Sequence, residues 1–109
     1  MSENSVFGRL FDVISARKKE SPDHSYVARL IFKGTEKINS KIMEEAAEVT
    51  EAALDNDRSH LVYEICDLLF HTFVLAGSKD ISLRDIETEL ERRFGKSGLQ
   101  EKAERKNNA

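Results

Sequence analysis

The stretch from Asp57 to Gly77 constrains the fold most, because apolar residues recur through it at helical spacing and on nearly every side. These residues are Leu61, Val62, Ile65, Leu68, Leu69, Phe70, Phe73, Val74 and Leu75. A helix that is apolar on most sides is usually buried among other elements. We therefore expect a central helix over about 57–76, which begins at Asp57 and is ended by Gly77. Cys66 is expected to lie in the hydrophobic core of the protein.

Helical spacing also recurs in the rest of the chain, and no segment shows the alternation of a strand. Further helices are predicted over about 4–19, from about Tyr26 to Gly34, over about 35–55 with Thr35 as its cap, and over about 82–94. The fold class is therefore all-α, with about five helices and a central antiparallel pair formed by the third and fourth. Residues 1–109 are predicted to form one domain, in which 1–23 are an N-terminal helix and linker and 96–109 a mobile polar tail.

Composition limits the classes of partner. The chain has 109 residues and a formal net charge of -3, whereas nucleic-acid-binding modules are usually basic, so no nucleic-acid partner is expected. The single cysteine excludes an intramolecular disulfide, and the sequence shows neither a signal peptide nor a membrane-spanning apolar run. We therefore expect a cytoplasmic protein without a membrane partner. A chain this short hides a limited share of its surface, so a leftover apolar face would favour a homo-oligomer.

Two rows of carboxylates lie on the third and fourth predicted helices. The third helix contains the pattern E-E-x-x-E, and a rotation of about 100° per residue places its acids on one arc of about 120°. These acids are Glu44, Glu45, Glu48 and Glu51. The fourth helix contains the pattern E-x-x-D, and its polar residues form one narrow strip on an otherwise apolar helix. The strip consists of Glu64, Asp67 and His71.

The energetics of these two rows favour a bound cation. Burying an unpaired carboxylate is costly or forces the group to take up a proton. Two facing rows of carboxylates are compatible when a divalent cation lies between them, and clustered carboxylate oxygens suit a hard ion such as Mg²⁺. Either motif alone is equally typical of a solvated acidic face. The two motifs together predict a metal site.

Several basic residues and one histidine are candidates to support this site. Lys37 and Lys41 precede the carboxylates on the same face of the third helix, where they either pair with neighbouring glutamates or hold phosphate oxygens. Arg29 and Lys33, on the second helix, are further phosphate-binding candidates. His71 is expected to donate a hydrogen bond behind the metal ligands or to pack in the core, because imidazole is not a preferred ligand of Mg²⁺.

These motifs and their flanking residues resemble the phosphoribosyl-ATP pyrophosphatase family, which belongs to the all-α nucleotide pyrophosphohydrolases of the MazG type. The resemblance covers most of residues 25–95. The matching residues are Ser25 to Leu30, Gly34 to Ile38, Lys41 to Ala46, Leu61 to Glu64, Asp67 to His71, Ser82, Asp85, Glu89, Leu90, Arg92 and Arg93. The chain departs from the family pattern at Met43, where glycine is usual, and at Cys66, where alanine is common. Neither departure removes a carboxylate.

The resemblance implies Mg²⁺-dependent hydrolysis of 1-(5-phosphoribosyl)-ATP to 1-(5-phosphoribosyl)-AMP and pyrophosphate, the second step of histidine biosynthesis. It also implies a homodimer with active sites near the subunit interface. By the same resemblance, the metal ligands are Glu45, Glu48, Glu64 and Asp67, while Glu44 binds a second ion or orients or deprotonates the attacking water. Two alternatives stay open: a house-cleaning (deoxy)nucleoside triphosphate pyrophosphatase of the same fold, and a non-catalytic helical dimerisation module.

Overall fold

The structure, a computed structural model, describes residues 5–108, which form six helices and no strand. The helices are α1 (Val6–Arg17), α2 (Tyr26–Lys33), α3 (Thr35–Ala52), α4 (Arg58–Ser78), α5 (Leu83–Arg92) and α6 (Gly98–Asn108). The all-α prediction is confirmed. The structure has one helix more than the predicted count of about five, because α6 forms within the segment 96–109 that was predicted to be a mobile polar tail. Residues 1–4 and 109, the outer ends of the predicted N-terminal segment and tail, lie outside the described residues.

Side-chain caps set most of the helix starts. Ser5, Ser25 and Asp57 each accept a hydrogen bond from the backbone N–H three residues further on, which satisfies one donor of the first helical turn. At α5, Ser82 and Asp85 form a reciprocal capping box. The predicted starts at Asp57 and Ser82 are therefore confirmed.

Gly34 ends α2 as predicted, whereas Gly77 does not end α4. Gly34 separates α2 from α3 directly, and its φ of 101° lies in the left-handed region that favours glycine. Thr35, predicted to cap α3, is instead the first residue of that helix, because Gly34 occupies the cap position. Gly77, predicted to end α4, lies inside it, and a Cβ there would come within 3.0 Å of Ile14 Cγ2. Glycine at this position lets α1 pack closely against α4.

The helices α3 and α4 form the central pair of the fold and make its most extensive contacts. The short turn between Ala52 and Arg58 reverses the chain, so the two helices run antiparallel, as predicted. Helices α1 and α2 pack against this pair, and α5 packs against α1. The buried core consists of Ile14, Val27, Leu30, Ile38, Phe73 and Val74.

The N-terminal half of α4 is less buried than its composition predicts. The C-terminal half packs against α1, where the rings of Phe73 and Phe11 have centroids 4.7 Å apart. In the N-terminal half, Val62 and Ile65 are 55% and 41% exposed. Cys66 is exposed as well, so its prediction as a core residue is wrong for the single chain. The error arises because α4 is apolar on more sides than the other helices of one chain cover.

Helix α4 also has the length and the high hydropathy that are typical of membrane-spanning helices. By length and hydropathy alone α4 could cross a membrane, and among residues 5–108 it is the one helix that could. A core helix passes the same test, so this is weak evidence for a membrane. Only 28% of its most apolar 18-residue window is buried within the chain. One copy of the chain therefore leaves part of this helix uncovered.

Candidate active site

Three carboxylates from the two central helices converge at one place, which we call the carboxylate cluster. Glu45 and Glu48 come from α3 and Glu64 from α4, and one oxygen of each lies within 4.8 Å of the other two. The i, i+3 spacing puts Glu45 and Glu48 on the same face of α3, where that face meets α4. Glu45 and Glu64 are buried, whereas Glu48 is exposed. The structure thus brings together the two acidic rows seen in the sequence.

Each buried glutamate has one oxygen without a partner among residues 5–108. Glu64 Oε2 lies 3.0 Å from Nε2 of His60, one turn earlier on α4, whereas Glu64 Oε1 is buried and has no hydrogen-bond partner. On Glu45, Oε1 lies 4.0 Å from Lys41 Nζ, and Oε2 is buried without a partner. Buried polar atoms in native proteins almost always have a partner. Two such oxygens in one cluster therefore indicate a place for a cation.

The electrostatics of the cluster also favour a bound cation. Burial is the largest cause that raises the pKa of Glu45 above its usual value, and the negative charges of Glu48 and Asp67 raise it further. The ionised form of Glu45 is therefore unfavourable while the carboxylates stand alone. A dication among them would reverse this effect, because it attracts each carboxylate that now repels Glu45.

Asp67 lies beside the cluster without belonging to the group within 4.8 Å. It is half-buried on α4, almost one turn after Glu64, and its charge acts on Glu45. An aspartate is one methylene shorter than a glutamate, so its carboxylate reaches less far from the helix. Three of the four metal ligands implied by the resemblance therefore meet directly, and Asp67 lies within electrostatic range of them.

Lys41 is the predicted phosphate-binding residue that faces the carboxylates. Its Nζ lies 3.3 Å from Glu44 Oε1 and 4.0 Å from Glu45 Oε1. The hydrogen bond to Glu44 is the main cause that raises the pKa of Lys41. The salt-bridge interpretation of Lys41 is thus present in the structure. It leaves the phosphate-binding interpretation open, because a surface ion pair of this kind contributes little and can exchange.

Among residues 5–108, the other predicted phosphate-binding residues form no ion pair with the carboxylate cluster. Lys37 and Lys33 are exposed, on α3 and α2. Arg29 Nε donates a hydrogen bond to the carbonyl oxygen of Pro22 at 3.0 Å, so its guanidinium holds the turn that leads into α2. The structure gives Arg29 a structural role and does not bring its side chain together with the carboxylates.

A hydrogen-bond chain runs beside the carboxylate cluster and ties α2 to α4. Tyr26 Oη lies 2.9 Å from Nε2 of His71, and His71 Nδ1 lies 2.8 Å from the backbone oxygen of Asp67. His71 is buried and both ring nitrogens have a partner within hydrogen-bond distance, so it links Tyr26 to the backbone of α4 beside the cluster. The pKa of Tyr26 is raised, mainly by burial.

Tyr26 and His60 are site residues that the sequence analysis did not identify as functional. His60 precedes Glu64 by four residues, so helical spacing alone would have placed the two side chains together. Tyr26 gave no such local signal, because its contact with His71 joins residues 45 positions apart. It was noted only as part of the stretch that carries the family resemblance.

The chemistry of the carboxylate cluster fits a hard divalent cation. Its ligand atoms are carboxylate oxygens from Glu45, Glu48 and Glu64, with Asp67 nearby. Mg²⁺ is typically held by a few carboxylates while retaining waters and binding substrate phosphates. The exposed position of Glu48 leaves one side of the cluster open to such a substrate.

Comparison with known proteins gives a consistent result over nearly the whole chain. The family model described as "Phosphoribosyl-ATP pyrophosphohydrolase" matches residues 7–94. A protein of Neisseria gonorrhoeae named phosphoribosyl-ATP pyrophosphatase is 49% identical over 102 residues, which cover 94% of this chain and 95% of the relative. Proteins of the same name from Ruthia magnifica and Nitrosomonas eutropha are 48% and 45% identical. They match 95% and 98% of this chain, and 99% and 92% of their own lengths.

Proposed function

Because the chain belongs to the phosphoribosyl-ATP pyrophosphohydrolase family, we propose that it hydrolyses 1-(5-phosphoribosyl)-ATP to 1-(5-phosphoribosyl)-AMP and pyrophosphate. This reaction is the second step of histidine biosynthesis. The structural observation that carries the proposal is the meeting of Glu45, Glu48 and Glu64, with two buried oxygens that lack protein partners. A dimerisation module has no need of such an arrangement, whereas a metal-assisted hydrolase requires it.

We propose Mg²⁺ as the cofactor, held by Glu45, Glu48 and Glu64 with Asp67 as the fourth ligand. The unpartnered oxygens Glu45 Oε2 and Glu64 Oε1 support this assignment, as does the charge of Asp67 on Glu45. When bound, the ion neutralises phosphate charge and lowers the pKa of water. His60 keeps Glu64 oriented by occupying its other oxygen, which fixes the carboxylate as a ligand.

The remaining polar groups supply positioning and proton transfer. In the reaction, water attacks phosphorus, the anhydride bond between the α and β phosphates breaks, and pyrophosphate leaves. Lys41 and the exposed Lys37 place positive charge beside the triphosphate and stabilise the leaving group. Glu44 is exposed next to the cluster without being part of it, so it is the candidate to orient the attacking water and take up its proton.

We also propose that the protein is a homodimer in which a second copy covers the N-terminal half of α4. Val62, Ile65 and Cys66 are exposed there at i, i+3, i+4 spacing and form one apolar stripe. With about 100° per residue, this stripe lies on the side of α4 opposite Glu64, so a partner could cover it without filling the carboxylate cluster. Exposed apolar stripes of this kind mark interaction surfaces.

The direct test measures pyrophosphate release from phosphoribosyl-ATP, ATP and a panel of dNTPs, with Mg²⁺ and with excess EDTA. We expect turnover of phosphoribosyl-ATP to exceed that of every other substrate, and to disappear on chelation. Preference for a dNTP would contradict the proposed substrate and favour the house-cleaning pyrophosphatase, while leaving the metal chemistry in place. Activity that is unchanged by EDTA would contradict the proposed cofactor.

A further inference from the structure

We propose that the hydroxyl oxygen of Tyr26 is a fixed hydrogen-bond acceptor for an O–H donor bound at the carboxylate cluster. The geometry assigns this role because the proton of the hydroxyl is already committed to His71. The proposal rests on the proposed function for the identity of the donor. That donor is either a water on the cation or a hydroxyl of the substrate ribose.

The direction of the hydrogen bonds follows from the partners of His71. Its Nδ1 lies 2.8 Å from the backbone oxygen of Asp67, and a carbonyl oxygen only accepts, so Nδ1 must carry the proton. In a neutral imidazole the other nitrogen, Nε2, is then an acceptor. Tyr26 Oη, 2.9 Å from Nε2, must therefore donate its proton to His71. Only lone pairs of the Tyr26 oxygen remain for a ligand.

Tyr26 is held in place and remains accessible. Its ring stacks on Phe70 with centroids 6.3 Å apart and planes 16° from parallel, and its edge packs against His71. The residue is 45% exposed, so part of its side chain is open to a ligand. The charges of Lys41, Glu45 and Asp67 act on this hydroxyl, which places it beside the carboxylate cluster.

The chemistry of the surroundings selects the kind of ligand. Phosphate oxygens are acceptors, so they gain nothing from a hydroxyl whose proton is engaged elsewhere, and the cation that attracts them there is Lys41. A water polarised by a cation, or a sugar hydroxyl, has a proton to donate to this oxygen. The chain through His71 fixes the position of the acceptor, as partners behind metal ligands commonly do.

The first test needs no activity and uses the metal-free protein. The chain has three histidines, so the ring nitrogens of His71 can be assigned in ¹⁵N NMR spectra by comparison with His24→Gln and His60→Gln. We expect the neutral imidazole of His71 to carry its proton on Nδ1 and none on Nε2. A proton on Nε2 would overturn the proposal, because Tyr26 would then be the acceptor of that proton.

The second test compares Tyr26→Phe with Tyr63→Phe, the same change at the only other tyrosine of the chain. In Tyr26→Phe we expect about a tenfold rise in the Mg²⁺ half-saturation if the donor is a cation-bound water. A rise of similar size in KM at saturating Mg²⁺ identifies a ribose hydroxyl instead. Values within about twofold of Tyr63→Phe for both constants would overturn the proposal.

The two tests separate failure of this proposal from failure of the proposed function. If the wild-type protein hydrolyses no phosphoanhydride, the proposed function fails, and the NMR measurement still determines the direction of the Tyr26–His71 hydrogen bond. If Tyr26→Phe does not fold by circular dichroism, the tautomer of His71 again decides. An active wild type with an unaffected Tyr26→Phe variant contradicts this proposal alone.

Discussion

The two buried glutamates of the carboxylate cluster differ in how their oxygens are held, and this difference decides what a substitution at each will do. Glu64 has one oxygen fixed by His60 at 3.0 Å. Glu45 Oε1 has Lys41 at the longer distance of 4.0 Å, and the pKa of Glu45 is raised by burial and by neighbouring acids. Without a cation, the ionised form of Glu45 therefore destabilises the native state.

We expect Glu45→Gln to abolish function while stabilising the metal-free protein. The amide removes a buried charge that burial and Glu48 both disfavour, so Tm without metal should rise by about 4 °C, the effect of ~1 kcal/mol in a domain of this size. kcat/KM should fall by about 100-fold or more, because a cation ligand is lost. Glu51→Gln, an exposed position on the same helix, is the matched control and should change neither quantity. A fall in Tm without metal would contradict the prediction.

Asp67→Asn tests whether the fourth acid is a ligand, although it lies outside the 4.8 Å group. We expect the Mg²⁺ half-saturation to rise by about tenfold or more, because a neutral amide oxygen binds the cation less strongly than a carboxylate. Asp55→Asn, in the exposed turn between α3 and α4, serves as the control. Wild-type Mg²⁺ dependence in Asp67→Asn, measured by pyrophosphate release, would remove Asp67 from the ligand set.

At the scale of the helices, apolar periodicity and capping residues predict most helix positions correctly, because both act over a few residues. Features that depend on contacts between distant residues were not predicted. Ser82 and Asp57 were identifiable as starts because a capping side chain acts within three residues. Gly77 is predicted to end α4, but in the structure its missing side chain leaves room for Ile14 of α1, which is a contact between distant residues. Helix α6 was missed because it lacks an apolar stripe and is held by ion pairs, which leave no periodic signal. The family match ends at Phe94, before α6 begins.

Arg92 is expected to hold α6 against the end of α5. Its Nη2 lies 2.7 Å from Glu101 Oε1 and 2.7 Å from Glu89 Oε2, and Glu101 is buried. Arg92→Met leaves the buried Glu101 carboxylate unpaired, so α6 should detach and its amides should exchange at least about tenfold faster. Arg84→Met, whose ion pairs lie within α5, is the control. Unchanged amide exchange over residues 98–108 in Arg92→Met would show that other contacts hold α6.

The same ion pairs predict how α6 docking responds to acid. A hydrogen bond from Arg92 lowers the pKa of Glu101, the α6 residue of these ion pairs, below its usual value of 4.5. A depressed carboxyl pKa means that the native state binds fewer protons, so the stabilisation of the docked helix is present above about pH 4.5 and declines over the interval below it. Amide exchange of α6, corrected for its intrinsic pH dependence, should therefore accelerate over this interval and stay constant above it.

For the molecule as a whole, the sequence was sufficient for the architecture and for the convergence of the acids. Both follow from one fact, that a short turn joins two helices whose periodicity is clear. It was insufficient for Cys66 and for Tyr26, because burial and long-range hydrogen bonds depend on which surfaces meet. The exposed stripe on α4 was not predicted for the same reason, because its exposure depends on which surfaces of one chain meet.

The proposed homodimer makes a prediction about this stripe. Ile65→Glu puts a charge at its centre and should convert the dimer to a monomer, because burying an unpaired carboxylate at an interface is strongly unfavourable. Val13→Glu, at a similarly exposed position on α1, is the control and should leave the dimer intact. Sedimentation equilibrium distinguishes the outcomes. A wild-type protein that is monomeric at micromolar concentration would contradict the proposal before any variant is made.

Stability of the whole molecule should depend on pH and Mg²⁺ together. Because the pKa of Glu45 is raised, the native state binds more protons than the unfolded chain, so metal-free stability should fall as pH rises through the interval above 4.5. Mg²⁺ at ten times its Kd should add ~1.4 kcal/mol, or about 6 °C in Tm, at pH 8. This gain should shrink toward pH 5, where protons compete with the cation for the same oxygens. A Tm gain that does not depend on pH, or that persists in Glu45→Gln, would mean that the cation binds elsewhere.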